Sequence, residues 1–252
     1  MPAAPADHHL AAELALLAGY RLLGLRAEGG GGDHVGARGD RAADDLLVTA
    51  LRRARPRDGL LTEESVDDGR RLEHERVWIV DPLDGTREFS EPGRADWAVH
   101  VALTEGGAPV AGAVALPARD LVLSTVSPVP VPPGRDGPPR LVVSRSRPPA
   151  IAAPVAEDLH AEVVELGSAG AKAMAVVLGD AEVYLHAGGM YEWDSCAPVA
   201  VALHAGLHCS RIDGRPLRYN NPDPLLPDLL VCRPELALAA LEAVARAGGA
   251  RE

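Results

Sequence analysis

The chain has 252 residues, 47% hydrophobic and 24% charged, with a formal net charge of −11, the composition of a water-soluble globular protein with room for one large domain or two modest ones. A general binder of nucleic acid or of acidic membranes is expected to be basic, so both partner classes are set aside; an acidic protein that acts on phosphate esters needs bound cations to reverse its local field. Cys196, Cys209 and Cys232 are scattered, odd in number and without CxxC spacing, which argues against a disulfide framework and against a cysteine-ligated zinc site.

No basic stretch followed by an apolar core opens the chain, and no apolar run reaches membrane length, so a cytoplasmic location is expected. Aromatic residues are only 3%, so the core has to be built from Leu, Val, Ile and Ala. Residues 8–27 have the spacing of an amphipathic helix, with Leu14, Leu17, Ala18, Leu22 and Leu25 on one stripe. Gly29 to Gly32 break it as a loop that matches no phosphate-binding pattern. Asp40 is expected to open a second helix, striped by Ala43, Leu46, Leu47, Ala50, Leu51 and Ala54 and stopped by Pro56. Leu60-Leu61 reads as a short strand running into Thr62-Glu63-Glu64-Ser65, an acidic pair that is either an exposed charged turn or part of a site.

Val77 to Val80 is an apolar, strand-forming run that ends in Asp81-Pro82-Leu83-Asp84-Gly85-Thr86. A strand that stops at two carboxylates delivers charge to a sheet edge. Two Asp so close either hold a cation between them or belong to an Asp-rich turn. Strands are then expected over 97–103, 109–116 and 121–126, antiparallel in pattern. Residues 127–139 are too rich in Pro and Gly for helix or sheet and mark a long loop. Beyond it strands and helices alternate in α/β fashion: strand 141–144, helix 150–159, strand 163–166, a small-residue helix from Gly167 through Leu178, strand 183–186 ending near Gly188-Gly189, a helix from Ser195 to Ala205 after Glu192-Trp193-Asp194, strands 207–212 and 229–232, and a terminal helix 235–246. The expected organisation is therefore an N-terminal α+β subdomain over 1–126, a loop over 127–140, and a C-terminal α/β subdomain over 141–252.

Asp40, Glu63 with Glu64, Asp81 with Asp84, and Asp194 each stand at the end of an apolar element rather than in a solvated charge run, and all could meet at one sheet edge. Hard oxygen ligands without a competing His or Cys set suit magnesium. The segments Glu63-Glu64-Ser65, Trp78-Ile79-Val80-Asp81-Pro82-Leu83-Asp84-Gly85-Thr86 and Trp193-Asp194-Ser195-Cys196-Ala197-Pro198 resemble, in order and spacing, the three motifs of the inositol monophosphatase superfamily. Asp81 through Phe89, together with Ser144-Arg145-Ser146, is most similar to the CysQ branch, the 3'(2'),5'-bisphosphate nucleotidases, and to its actinobacterial members.

The resemblance implies the layered αβαβα sandwich of the inositol monophosphatase and fructose-1,6-bisphosphatase type. It implies a magnesium-dependent phosphatase that converts adenosine 3',5'-bisphosphate to AMP and phosphate by a metal-activated water, in the service of sulfate assimilation, inhibited by lithium and compatible with a homodimer. By the same resemblance, Glu63, Asp81 and the Leu83 carbonyl hold one magnesium, Asp81, Asp84 and Asp194 hold a second, and Glu63 helps with a third. Thr86, hydrogen-bonded to Asp40, orients the attacking water, and the N–H groups of Gly85 and Thr86 receive phosphate oxygens; Glu63, Leu83, Asp84 and Asp194 thus also face the substrate. The chain departs from the branch pattern at Arg87, where Lys is frequent, at Arg147, where His is frequent, and in a Gly167–Lys172 segment one residue longer than usual. Cys196 reads as packing, and Lys172 either meets a substrate phosphate or is solvated on a helix surface. The rival functions are inositol monophosphatase or fructose-1,6-bisphosphatase activity and, in another class, a catalytically silent nucleotide or metal sensor.

Overall fold

Two long helices begin the chain and cover one face of the first sheet. The computed structural model describes residues 3–28 and 33–248, so the Gly29–Gly32 loop lies outside the described residues. Helix α1 (Pro5–Ala27) starts with Pro at its first position, where the missing N–H costs nothing. It buries Ala11, Leu14, Ala15, Ala18, Leu22 and Leu25. Leu17, expected on that stripe, is instead 47% exposed. Helix α2 (Asp33–Ala54) begins earlier than its sequence suggests, so Asp40 does not open it but lies about two turns inside. Its Ala43, Leu47 and Leu51 are buried with α1 against the sheet.

That sheet has strand order β1-β2-β3-β4-β5. Strand β1 (Gly59–Thr62) pairs parallel with β2 (Arg76–Asp84); β3 (Ala98–Glu105), β4 (Ala108–Leu116) and β5 (Leu121–Ser124) follow antiparallel. Residues 127–139 carry no regular element and take the chain across to a second sheet, of order β7-β6-β8-β10-β9. Its strands are β6 (Arg140–Ser144), β7 (Glu162–Leu166), β8 (Val183–Tyr191), β9 (His208–Ser210) and β10 (Leu225–Cys232). Strand β6 is parallel to β7 and β8, while β10 is antiparallel to β8 and β9. Strand β8 does not end at Gly188-Gly189: both residues have φ near 100°, yet Met190 and Tyr191 still pair with Leu226 and Leu225, across an irregularity in β10.

Helices α5 (Ala169–Leu178) and α6 (Glu192–His204) fill the space between the sheets. The short α4 (Ala152–Asp158) and the terminal α7 (Ala237–Arg246) cover the outer face of the second sheet. The layering is αβαβα, and each interlayer space has its own apolar cluster. Leu22, Leu47, Trp78 and Trp97 lie under α1 and α2; Ile79, Val114, Met174 and Leu229 surround the middle helices; Leu141, Val155, Leu230 and Val244 lie under α4 and α7. With few aromatic side chains, the layers approach through small residues. A Cβ on Gly112 of β4 would sit 2.8 Å from the Ala200 Cβ of α6.

Candidate active site

The carboxyl-proximal end of β2 is where regular pairing fails. Asp81 pairs with His100 and Asp84 with Ala98, and the register slips between them because Pro82 has no N–H to give to the ladder. The slip turns Asp81 and Asp84 toward one cleft. Gly85 follows with φ 88°, a conformation that side-chain-bearing residues rarely adopt, and lets the chain turn at once into the short helix α3 (Thr86–Ser90). From the layer between the sheets, Asp194 lies in the first turn of α6 rather than ahead of it, where its Oδ2 accepts the Tyr191 N–H at 2.6 Å. The cleft has a volume of about 830 Å³ and is lined by Glu63, Asp81, Leu83, Asp84, Gly85, Thr86 and Asp194 among others.

Asp81, Asp84 and Asp194 each offer a carboxylate oxygen, and those atoms lie within 4.8 Å of one another. Each carboxylate has its other oxygen committed. Asp81 Oδ1 accepts the Leu83 N–H at 3.0 Å, while its Oδ2 is buried without a hydrogen-bond partner among the described residues. Asp84 Oδ2 accepts the Ser168 hydroxyl at 2.5 Å and the Gly170 N–H at 2.7 Å, with His100 Nε2 at 3.2 Å. A cation among the remaining oxygens would satisfy the buried Asp81 Oδ2 and cancel the crowding, so the donor set fits a hard divalent ion. Glu63 stands outside the tight group but faces the same cleft, solvent-exposed on its wall. Glu64, its neighbour, is not among the lining residues.

The crowding is visible in acidity. Burial and the charges of Glu63, Asp84 and Asp194 hold the Asp81 carboxyl well above the usual carboxylate range. Partial loss of hydration and the charges of Asp194, Asp84 and Asp40 push Glu63 up to about 7; burial and Asp84 push Asp194 to about 6. Asp84 goes the other way: burial raises it, but His100, Lys172 and Ser168 outweigh burial and hold it at about 2. Asp84 is thus the member of the cluster kept ionised by the protein itself.

Asp40 Oδ1 lies 3.3 Å from Thr86 Oγ1, which is also 3.2 Å from the Leu83 carbonyl. One hydroxyl proton cannot serve both acceptors at once, so the Thr86 proton is shared between the two sites or Asp40 carries a proton of its own. Burial, then Glu64, push the Asp40 carboxyl up to about 7. Of the Ser144-Arg145-Ser146 segment, the two serines line the cleft, whereas Arg145 turns to Glu88 at 2.7 Å and Glu91 at 3.0 Å and fastens the segment to α3.

The solvated reading of Lys172 is corrected, and the groups that support Asp84 and Glu63 were not foreseen from sequence. Lys172 is not solvated: it is 4% exposed, donates to the Gly167 and Ser168 carbonyls, and lies 5.4 Å from the Tyr184 ring centroid. Ser168, Gly170 and His100 converge on Asp84. Asp44 accepts from the hydroxyls of Thr62 at 2.5 Å and Ser65 at 2.9 Å, bracing the turn that carries Glu63. A histidine in the middle of an apolar strand was the one legible signal among these. Cys196 is fully buried, and burial raises its thiol well above the usual range, as expected of packing.

Comparison with known proteins agrees with this geometry. The family model described as "Inositol monophosphatase family" matches residues 9–129 and 140–247. A relative from Mycobacterium bovis named 3'-phosphoadenosine 5'-phosphate phosphatase is 52% identical over 240 residues, covering 91% of this chain and 90% of its own. The Escherichia coli K12 3'(2'),5'-bisphosphate nucleotidase CysQ is 31% identical over 74% of this chain and 80% of its own. The crystal structure of CysQ from Bacteroides thetaiotaomicron superposes with a TM-score of 0.80 at 26% identity, covering 90% of this chain and 97% of that one. With the family model spanning both sheets and relatives similar along nearly the whole length, the chain belongs to the inositol monophosphatase family.

Proposed function

We propose that the protein is a magnesium-dependent phosphatase that hydrolyses the 3'-phosphate of adenosine 3',5'-bisphosphate to give AMP and phosphate. The observation that carries the reading is the Asp81, Asp84 and Asp194 cluster, with one oxygen of each carboxylate committed, in a chain 52% identical to a mycobacterial 3'-phosphoadenosine 5'-phosphate phosphatase. The cleft also suits a nucleotide. Above the acidic floor it carries Arg87, Arg147 and Tyr191, the last stacked on Trp193 at 4.6 Å.

In this reading Glu63, Asp81 and the Leu83 carbonyl would hold one magnesium, and Asp81, Asp84 and Asp194 a second, with Glu63 also near a third. Bound there, magnesium supplies positive charge for the phosphoryl oxygens and makes water easier to ionise. The chain's own groups do the rest. The Thr86 hydroxyl, 3.3 Å from Asp40, orients the attacking water and passes its proton toward that carboxylate. The water oxygen bonds to the 3'-phosphorus, the bond from phosphorus to the 3'-oxygen breaks, and the freed oxygen takes up a proton. Gly85 and Thr86, where β2 turns into α3, offer backbone N–H groups to the phosphate. No covalent intermediate with Cys196 is needed, since its sulfur is buried in the core.

The test is a substrate panel with the purified protein, with and without magnesium. The bisphosphate is expected to give the highest kcat/KM, ahead of inositol 1-phosphate and fructose 1,6-bisphosphate, and turnover is expected to vanish in chelator. A better rate on either competitor overturns the substrate; no turnover on any of the three, with nucleotide still bound, favours a silent sensor.

A further inference from the structure

His100 is wholly buried in the middle of β3, and no step above uses it. Its two ring nitrogens meet two different elements behind the cleft. Nδ1 lies 3.0 Å from the Trp193 carbonyl, which can only accept, so Nδ1 carries a proton. Trp193 immediately precedes Asp194 in α6. Nε2 lies 3.2 Å from Asp84 Oδ2, within ion-pair distance though outside the angles of an aligned hydrogen bond. The start of α5 is fitted to the same ring: a Cβ on Gly170 would collide with Nε2, and the Gly170 N–H reaches the same Oδ2.

We propose that His100 is a positioning residue for the cation site: it ties Asp84, at the end of β2, to the peptide before Asp194, at the start of α6, and with Ser168 and Gly170 it occupies Oδ2 of Asp84 so that only Oδ1 of that carboxylate is free to bind. The inference rests on the reading of the cleft as a magnesium site. Asp84 closes a strand of the first sheet and Asp194 opens a helix of the layer between the sheets, and this side chain touches both ends. Without it, Asp84 keeps two donors but can rotate, and the first turn of α6 loses one polar tie to β3. Partners of this kind, which orient a ligand without touching the ion, weaken metal binding by about 10- to 100-fold when removed.

The experiment measures magnesium binding directly, by calorimetry on folded protein without substrate, for the wild type, His100→Gln and His100→Asn. A Gln amide can reach Asp84 but gives up Trp193; an Asn amide can reach the Trp193 carbonyl but gives up Asp84. Since the strut needs both ends, each variant is expected to raise the magnesium Kd by about tenfold or more. Each should also lower kcat with KM for the bisphosphate within about twofold of wild type. A merely structural histidine would lower the melting temperature and leave the Kd alone. A wild-type Kd in either folded variant overturns the proposal. If both fail to fold, Ser168→Ala, which removes one donor from the same oxygen, carries the test. A Kd raised several-fold supports the shared clamp on Oδ2, and an unchanged one overturns it. A wild-type protein that binds no magnesium overturns the site reading itself rather than the role of His100.

Discussion

Asp81 has a buried oxygen with no partner among the described residues, and around it stand three further carboxylates. Such an arrangement is unfavourable for the empty fold and useful only with a cation present. Asp81→Asn should therefore have two opposite effects. Turnover is expected to fall by about three orders of magnitude or more, about 4 kcal/mol of transition-state stabilisation. The melting temperature in chelator is expected to rise, because one of the repelling charges is gone. Steady-state kinetics and thermal melting check the pair; a variant that melts lower and keeps its activity would mean Asp81 is a structural acid. The acidic residues were legible in the sequence because each closes an apolar run, where a turn or a cation would explain one of them alone, and the order and spacing of the three motifs tied them together. Their supports were not. Ser168 meets Asp84 from 84 positions away, and His100 meets it by a side-chain direction that strand periodicity does not encode, since β3 is buried on both faces.

The elements followed the apolar pattern closely, and the departures have physical causes. Asp40 was expected to begin α2 because Asp is a common cap, but the helix starts at Asp33 and Asp40 projects from its interior to Thr86. Strand β8 continues through Gly188-Gly189 because pairing with β10 outweighs the local preference for a turn. How the first elements are tied together was not legible at all. Asp7, in the first turn of α1, is 2% exposed and receives Arg55 Nε at 2.7 Å from just past α2 and Arg76 Nη2 at 3.1 Å from the start of β2. Burial raises the Asp7 carboxyl, but the two guanidinium groups outweigh it and leave it below its ordinary value. A depressed folded value means stability that is present above the unfolded carboxyl's value near 3.9 and lost as pH falls through the lower folded value. Asp7→Asn is expected to cost about 2 kcal/mol at pH 7, because Arg55 loses its carboxylate partner while Arg76 keeps only Asp58 and Glu105, and progressively less in acid. Denaturant melts at pH 7 and below pH 4 check this. Because Asp7 meets the end of β2 opposite Asp81 and Asp84, kcat/KM should stay unchanged; a cost that persists below pH 3 would mean the contribution is packing rather than charge.

Across the whole molecule, the two sheets are joined at a site that the empty fold pays for in charge repulsion. Glu63 and Asp40 are raised to about 7, Asp194 to about 6 and Asp81 well above its ordinary value, against unfolded values near 4. For a carboxyl raised on folding, the native state holds more protons than the unfolded chain between the two values, so stability falls as pH rises through that window. Asp84, held at about 2, contributes in the opposite sense but only in stronger acid. The metal-free protein is therefore expected to lose stability between about pH 4 and pH 7, the reverse of the trend set by Asp7. In the proposed reading magnesium binds only the ionised carboxylates, so it should restore what ionisation removes. At a concentration about 100 times its Kd the gain is about 2.7 kcal/mol, or about 5–10 °C in melting temperature for a chain of this size. The gain should be small at pH 5, where protons compete for the same oxygens, and full by pH 8. Melting curves at both pH values, with magnesium and with chelator, read the effect. Asp194→Asn should weaken the metal-free pH trend, leaving the share of Asp40, and abolish the magnesium shift, because Asp194 belongs to the cluster behind both. A magnesium shift of equal size at pH 5 and pH 8, or one that survives Asp194→Asn, would place the ion elsewhere on the molecule and separate the acidic cluster from the chemistry assigned to it.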